Sequence, residues 1–591
     1  MRLKVPKKKL FQLSQASMIA LSLVMVLHWL LPKQNNQSSK ANNVHAQQRS
    51  DWDFDVSQKV DWHDHQSIQA DRIRIGPGEQ GSKVTLSPED KINPLQGTLY
   101  SANGFNAFAS DQISLDRSVK DIRHPECKNK VYSKELPTVS VIIPFINEHW
   151  STLVRTFHSV LNRSPESLIR EIILVDDASD KIHLKDKLDT YVHNTPRLKG
   201  KVRILRLSQR SGLIEARQTG AKNAKGEVLI FLDSHTECNY NWLPPLLEPI
   251  AADYRTAVCP FIDVIDMDNF EYRAQDEGKR GSFDWELYYK RLDLLPEDLA
   301  NPTRPFKSPV MAGGLFAISA KFFWELEGYD EGLKIWGGEQ YELSFKIWQC
   351  GGQMFDAPCS RIGHIYRKFA PFSSGGFGNY LGKNYRRVAD VWMDEYAEYI
   401  YKRKPNYKSI DPGDISKQKA LRERLQCKSF KWFMENVAFD QPKHYPPVEP
   451  DDYAHGFIKN VQYSNLCATA GSSNEPFFVS ECDGSSRQKF ILNWHKDIRT
   501  YVSHSMCWDV SQGGDEAPVM PYPCHGGKGN QLWRYYPETQ LLRHYGNQRC
   551  LDINADTKKL FVSNCRPGLE SQKWLLDNMN QNRLENWEQE P

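Results

Sequence analysis

The first 126 residues hold no cysteine, and nowhere does the chain carry a Cys-x-x-Cys pair. The second absence removes the spacing on which structural zinc sites are built. Charge of one sign is also missing: 76 Lys and Arg stand against 73 Asp and Glu in 591 residues, a net charge of +3. So even a balance leaves no electrostatic case for nucleic acid as a partner. Long apolar runs are absent too, with one exception, "LFQLSQASMIALSLVMVLHWLL" from Leu10 to Leu31. Its 22 residues suffice for a helix across a bilayer. Five of the nine residues before it are basic, which places residues 1–9 in the cytoplasm and everything after Pro32 in the lumen. A cleaved signal peptide competes through "VHA" at Val44–Ala46, but that site lies well beyond the apolar run. The expectation is a membrane anchor over 10–31.

What is present divides the rest. All twelve cysteines follow position 126, and the last six form pairs Cys467/Cys482, Cys507/Cys524 and Cys550/Cys565, spaced 15, 17 and 15 apart. Such a repeat suits disulfides in an oxidising compartment. Residues 32–110 are rich in Gln, Asn, Ser and charge, and read as a stem. From Thr138, short β-branched runs ("TVSVIIPF", "EIILVDDAS", "VRILRL", "EVLIFLDSH", "TAVCPFIDVID") alternate with helical patterns. That alternation predicts an α/β domain with a parallel sheet covered on both faces, whose ligands bind at the strands' carboxyl ends. A proline-bearing linker over 439–454 follows. Beyond it "RQKF" at Arg487, "NQLW" at Asn530 and "SQKW" at Ser571 recur, as an all-β threefold trefoil requires.

One strand ends unusually. "FLDSH" delivers Asp233 and His235 two residues apart, and in an extended chain both point to one side. A hard oxygen beside an imidazole suits a divalent metal such as manganese, with His364 in "RIGHIYRK" as the third ligand. The bland reading is a polar strand-end turn and a structural histidine. Asp176 and Asp177 end another strand, where they either bind a nucleotide or cap a helix. "MAGGLF" permits close backbone approach to a ligand. "WGGEQYELSFKIW" puts the aromatic Trp336 and the carboxylate of Glu339 around a flexible turn.

In order along the chain, "SVIIPFINE", "EIILVDDASD", "RSGLIEARQTGA", "FLDSHTECN", "DVIDMDNF", "FDWEL", "MAGGLF", "WGGEQYELSFKIWQCGG" and "VWMDEYAEYIY" occur. Together they resemble the polypeptide N-acetylgalactosaminyltransferases, from about residue 110 to the end. The resemblance implies a GT-A catalytic domain over 111–438 that binds UDP-GalNAc, and a ricin-type lectin trefoil over 455–591. It implies a retaining, Mn2+-dependent enzyme acting on Ser/Thr of polypeptide or glycopeptide acceptors. The implied setting is the Golgi membrane, type II, with both domains lumenal. It assigns Asp233, His235 and His364 to the metal. Pro144, Asp177, Arg210, Ala312, Gly313, Gly314 and Phe372 go to the donor. It makes Trp336, Glu339 and Arg367 catalytic: Glu339 in the GalNAc pocket, Trp336 as a ring whose orientation responds to the donor, and Arg367 at the start of a mobile loop that closes over UDP. It also pairs Cys127 with Cys359 and Cys350 with Cys427, beside the three trefoil pairs.

Three departures set this chain apart: Pro144 and Ile146 near the uridine, Thr236 after the metal motif, and Ala370 in the loop. They keep open an alternative, a weak or silent transferase that acts as a GalNAc lectin. In the trefoil only the second repeat carries the full sugar set of Asp509, His525 and Asn530. The first has Thr469 where an aspartate belongs, and the third has Ser571 where Asn belongs.

Overall fold

A computed structural model of the chain describes residues 52, 54–275, 278–371, 378–472, 475–566 and 568–589. The expected tail 1–9 and anchor 10–31 lie outside the described residues, as does Phe372. Among the residues described, no helix is long and apolar enough to cross a membrane.

The catalytic-type domain is built on strands β1 (Val139–Phe145), β2 (Ile169–Asp176), β3 (Val202–Arg206), β4 (Val228–Phe231), β5 (Thr236–Cys238) and β6 (Thr256–Ile265). Further along come the hairpin β7 (Lys279–Phe283) and β8 (Tyr289–Asp293), then β9 (Phe306–Lys307), β10 (Phe316–Ser319) and β11 (Gln353–Ile365). The central strands are apolar throughout because both faces are covered. Val141, Ile143, Ile172 and Leu174 pack with Leu153, Val154 and Phe157 of helix Trp150–Asn162. The alternate residues Ile142, Ile173 and Val175 pack with Ile214 and Ala216 of helix Leu213–Lys222.

The main sheet runs β9-β11-β6-β10-β4-β1-β2-β3. It is mixed rather than parallel. β1, β2, β3 and β4 are parallel, and so are β6 and β11, but β10 runs antiparallel to both of its neighbours. An apolar run of four residues carries no sign of its direction, so the sequence pattern does not distinguish the two. Direction matters for the site. The β4–β10 register pairs Phe231 with Phe316, and the segments just beyond these ends bring Gly314 against Asp233. β5 pairs antiparallel with β11 through Thr236 and His364, and Ile365 N donates to His235 O at 3.2 Å. His364 is thereby brought beside His235.

The segment expected as stem is folded from its first described residues. Trp52 Nε1 donates to Ile250 O at 3.1 Å, and Lys59–Val60 pairs with Tyr132–Ser133. Glu79 is buried between Arg74 and Ser118. Phe105 and Ala107 complete a small core with Tyr240, Ile265 and Tyr272. Each of these short elements contributes one or two apolar residues to a surface supplied by the sheet, so no periodicity marks it in advance.

The trefoil core contains Trp508, Trp533 and Trp574, none of them accessible to solvent. Five disulfides join Cys127–Cys359, Cys350–Cys427, Cys467–Cys482, Cys507–Cys524 and Cys550–Cys565, while Cys238 and Cys259 are free and buried. Asp440 pairs with the buried Arg280, and Trp285 Nε1 donates to Tyr445 O at 2.8 Å, tying the linker region to the β7–β8 hairpin.

Candidate active site

Two cavities meet at the carboxyl edge of β1, β2 and β4. The larger, about 530 Å3, is lined by Pro144, Asp177, Arg210, His235, Arg367 and Ala370 among others. The smaller, about 250 Å3, is lined by Ala312, Gly313, Gly314, Glu339 and Arg217. Asp233, Trp336 and His364 belong to both. The described donor and metal residues expected from the sequence therefore converge on one place, sorted into two compartments. Thr236 stays out of both cavities, 1% exposed, with its hydroxyl on Asp233 O at 3.0 Å.

Asp233 is gripped from two sides. Arg217 Nη2 donates to Oδ1 at 3.1 Å, and His364 Nε2 lies 3.4 Å from Oδ2. Gly314 is required here, since a Cβ at that position would stand 2.7 Å from Asp233 Oδ2. Burial alone would raise the carboxyl of Asp233, but the His364 hydrogen bond and the Arg217 charge outweigh it and hold it below the usual range. His235 Nδ1 meets Glu148 Oε2 at 2.9 Å. Burial, then the charge of Arg367, push its imidazolium down and keep the ring neutral, the state a metal requires.

Sequence reasoning missed two residues that organise the site. Glu148 is a hub: His235, Ser234 and Arg367 Nη2 all contact its Oε2, the last at 2.6 Å. Arg217 is buried in helix Leu213–Lys222, binding Asp233, Gly314 O at 3.2 Å and, at 3.7 Å, Glu339. The available signal was an arginine on the sheet-facing side of a helix, where a charge needs a partner. Glu339 opens helix Glu339–Gln349, and burial raises its carboxyl against the pull of Arg217.

Asp177, expected at the donor, borders the larger cavity and is also tied into the fold. Its oxygens accept from Ser211 N at 2.7 Å, Gly212 N at 2.9 Å and Arg210 Nη1, so it fastens the turn that carries Arg210. Asp176 similarly accepts from Ser179 N at 2.8 Å and caps no helix. Arg367 is braced by the amino-terminal segment: it donates to Asn103 O and lies over the Phe105 ring at 4.9 Å.

His364 Nδ1, Glu339 Oε2 and Arg217 Nη1 are buried without hydrogen-bond partners. Bare polar atoms around a cavity are what a polar ligand would satisfy. Among the described residues, one group of three potential metal ligands has its donor atoms all within 4.8 Å, namely Asp497, Cys507 and Cys524. Its two sulfurs are joined in a disulfide and offer no thiolate.

In the trefoil each repeat's glutamine holds the residue facing it. Gln531 Nε2 donates to Asp509 Oδ2 at 3.1 Å and Gln572 Nε2 to Asp552 Oδ2 at 3.0 Å, while Gln488 finds Thr469 at 3.3 Å. Asp552 also accepts from Ser563 Oγ and Ile553 N, which uses both its oxygens. His525 and Asn530 are exposed, His525 N donating to the same Gln531 that holds Asp509, and Asn530 O accepting from Val510 N at 3.0 Å.

Residues 140–327 match glycosyl transferase family 2, residues 298–369 the N-terminal domain of galactosyltransferase, and residues 454–574 the ricin-type beta-trefoil lectin domain. The chain is 53% identical over 548 residues to N-acetylgalactosaminyltransferase 6 of Drosophila melanogaster, covering 91% of this chain and 81% of that protein. It is 49% identical over 556 residues to polypeptide N-acetylgalactosaminyltransferase 10 of Homo sapiens, covering 92% and 90%. A crystal structure of GalNAc-T7 with UDP, GalNAc and Mn2+ shares 40% identity and a TM-score of 0.61, covering 85% of this chain and 93% of that one. Identity of this extent, spanning both domains, makes the chain a member of the polypeptide N-acetylgalactosaminyltransferase family.

Proposed function

We propose that this protein transfers GalNAc from UDP-GalNAc to Ser and Thr hydroxyls of polypeptides, with retention. The observation that carries the reading is the pair of joined cavities: one of nucleotide size, one of sugar size, meeting at Asp233, Trp336 and His364. The solved GalNAc-T7 structure, which contains UDP, GalNAc and Mn2+, supports the same ligand set here.

Asp233, His235 and His364 would hold Mn2+. Their chemistry fits: an ionised carboxylate, a neutral imidazole oriented by Glu148, and a second imidazole with a bare buried nitrogen. Bound there, the ion supplies positive charge against the diphosphate as UDP leaves. Arg367 adds a guanidinium to the lining of the larger cavity. Asp233 and Glu339 both border the sugar cavity and both lean on Arg217, which suits recognition of sugar hydroxyls better than nucleophilic attack. The acceptor hydroxyl then enters on the face the diphosphate leaves. Its oxygen bonds the anomeric carbon, the carbon–phosphate oxygen bond breaks towards UDP, and the hydroxyl proton passes to the departing phosphate. The task of the protein is alignment and charge stabilisation.

Residues 10–31 would anchor the protein in the Golgi membrane, type II, with both folded domains in the lumen. The five disulfides support an oxidising lumen. The second trefoil repeat, through Asp509, His525 and Asn530, would bind GalNAc on glycopeptides.

The deciding experiment incubates the full chain with UDP-GalNAc, Mn2+ and a panel of naked and GalNAc-bearing Ser/Thr peptides, with Asp233→Ala as control. Metal-dependent transfer that vanishes in the variant is expected. Glycopeptide binding without any transfer would instead make this a lectin on a silent scaffold.

A further inference from the structure

Between the α/β domain and the trefoil lies a cavity of about 710 Å3 to which nothing above assigns a role. Its catalytic-side wall is formed by the β7–β8 hairpin together with Arg403 and the linker from Lys443 to Glu449. The tip of that hairpin lines two cavities at once. Leu287, Tyr288 and Tyr289 face a cavity of about 400 Å3 that touches Ala312 and Trp336 of the donor site. Asp284, Trp285 and Lys290 face the interdomain cavity, whose opposite wall includes His525 of the second repeat. A polypeptide whose hydroxyl lies at Trp336 thus has one hairpin to cross before reaching the rim of the trefoil sugar site.

The charges along that path are uneven. Lys290, Arg403, Lys443, Arg499 and Lys528 line the interdomain cavity against Asp284, Glu286 and Glu449. Arg403 pairs with Glu449 at 2.6 Å, Lys290 with Asp284 at 3.4 Å, and Arg499 with Asp497 at 2.7 Å. Glu286 is taken by Lys404 at 2.5 Å, from outside the lining. Lys443 and Lys528 are exposed, and among the described residues neither has a carboxylate in salt-bridge range. Burial is the main cause that pushes two neighbouring groups down, His495 to about 4 and Lys496 to about 8; Arg499 adds to the first against Asp497 and Glu449, and Lys528 to the second against Glu588.

We propose that the interdomain cavity is a carboxylate subsite for the acceptor, holding Asp or Glu side chains of the stretch that joins the hydroxyl being glycosylated to a GalNAc held by the second repeat. The inference rests on the transferase reading above and deepens it: glycopeptides with acidic spacers are the preferred substrate class. The hairpin supplies the continuity and the unpaired lysines supply the charge.

The test compares paired glycopeptides, each with one acceptor Thr and one GalNAc-Thr, whose spacer carries Glu in one and Gln in the other. Kinetics and, without UDP-GalNAc, equilibrium binding are measured on the full chain and on a Lys443→Gln/Lys528→Gln double variant. The Glu peptide is expected to show a KM about two- to fivefold lower than its Gln twin. That advantage should shrink at high salt and vanish in the double variant. Transfer to a short naked neutral peptide should be the same in both proteins. Equal KM and Kd for the two peptides, or a Glu advantage that survives in the double variant, overturns the subsite. If no peptide of any kind is glycosylated, the transferase reading fails separately, and the Kd ratio alone decides the subsite.

Discussion

Asp233 of the α/β domain and Asp509 of the trefoil are both placed by strands, yet opposite means hold them. Asp233 is gripped by a buried guanidinium, Arg217, and by His364, inside a network that also fixes Glu148, His235 and Arg367. Asp509 is held by the neutral amide of Gln531, an arrangement repeated at Gln572 and Asp552. Charged holders set the ionisation of the groups around them and stake much energy on full pairing. A neutral holder leaves its carboxylate a plain hydrogen-bond acceptor. The first design suits a centre where charge must develop and be neutralised; the second suits reversible recognition of sugar hydroxyls.

The largest effect should fall on the charged side alone. Asp233→Ala is expected to lower transfer at least about a hundredfold, with glycopeptide binding by the trefoil unchanged in calorimetry. A parallel loss of binding would show that the two sites are not independent. Next comes Glu148→Gln, which keeps the shape but removes the charge facing His235 and Arg367. It should weaken Mn2+ activation by about 10- to 100-fold, read as a shift in the metal titration that added Mn2+ partly restores.

On the neutral side, Asp509→Ala should weaken glycopeptide binding about tenfold or more, while Asp552→Ala leaves it nearly unchanged because Asp552 is occupied by Ser563, Gln572 and Ile553 N. The reverse ranking would move the lectin site to the third repeat.

The smallest effect concerns pH. Burial raises the carboxyl of Asp356 from 3.8 to about 7 against a Ser308 hydrogen bond. A raised folded value means its contribution is fully present below about pH 4 and is lost as pH rises through about 7. Asp356→Asn should flatten that part of the profile, changing the melting temperature of the α/β domain relative to wild type by on the order of 3 °C between about pH 5 and 8. The trefoil transition should not respond.

Much of both sites was legible because their residues cluster in short motifs. Asp233 with His235, Gly313 with Gly314, and Trp336 with Glu339 each sit within a few positions of one another. The supports were not, because they come from elsewhere. Arg217 reaches Asp233 across 16 positions, Arg367 reaches Glu148 across 219, and Asn103 reaches Arg367 across 264. The segment before residue 110 read as stem because its helices are short and its apolar residues are shared with the sheet. The bonds that hold Asp177 were hidden for a related reason: the amides of Ser211 and Gly212 lie 34 and 35 positions away.

Sequence alone marked five of the sheet's strands, the threefold repeat and the groups expected at the site, because periodicity sets which face a side chain takes and motif spacing sets which groups travel together. Only the tertiary structure decided where those groups meet. The segment leading into the reversed β10 brings Gly314 against Asp233, and the antiparallel β5–β11 pairing sets His364 beside His235. A strand's pattern specifies neither its partner nor its direction. Both are chosen when long-range pairing and burial are satisfied together, and the active site exists only once that choice is made.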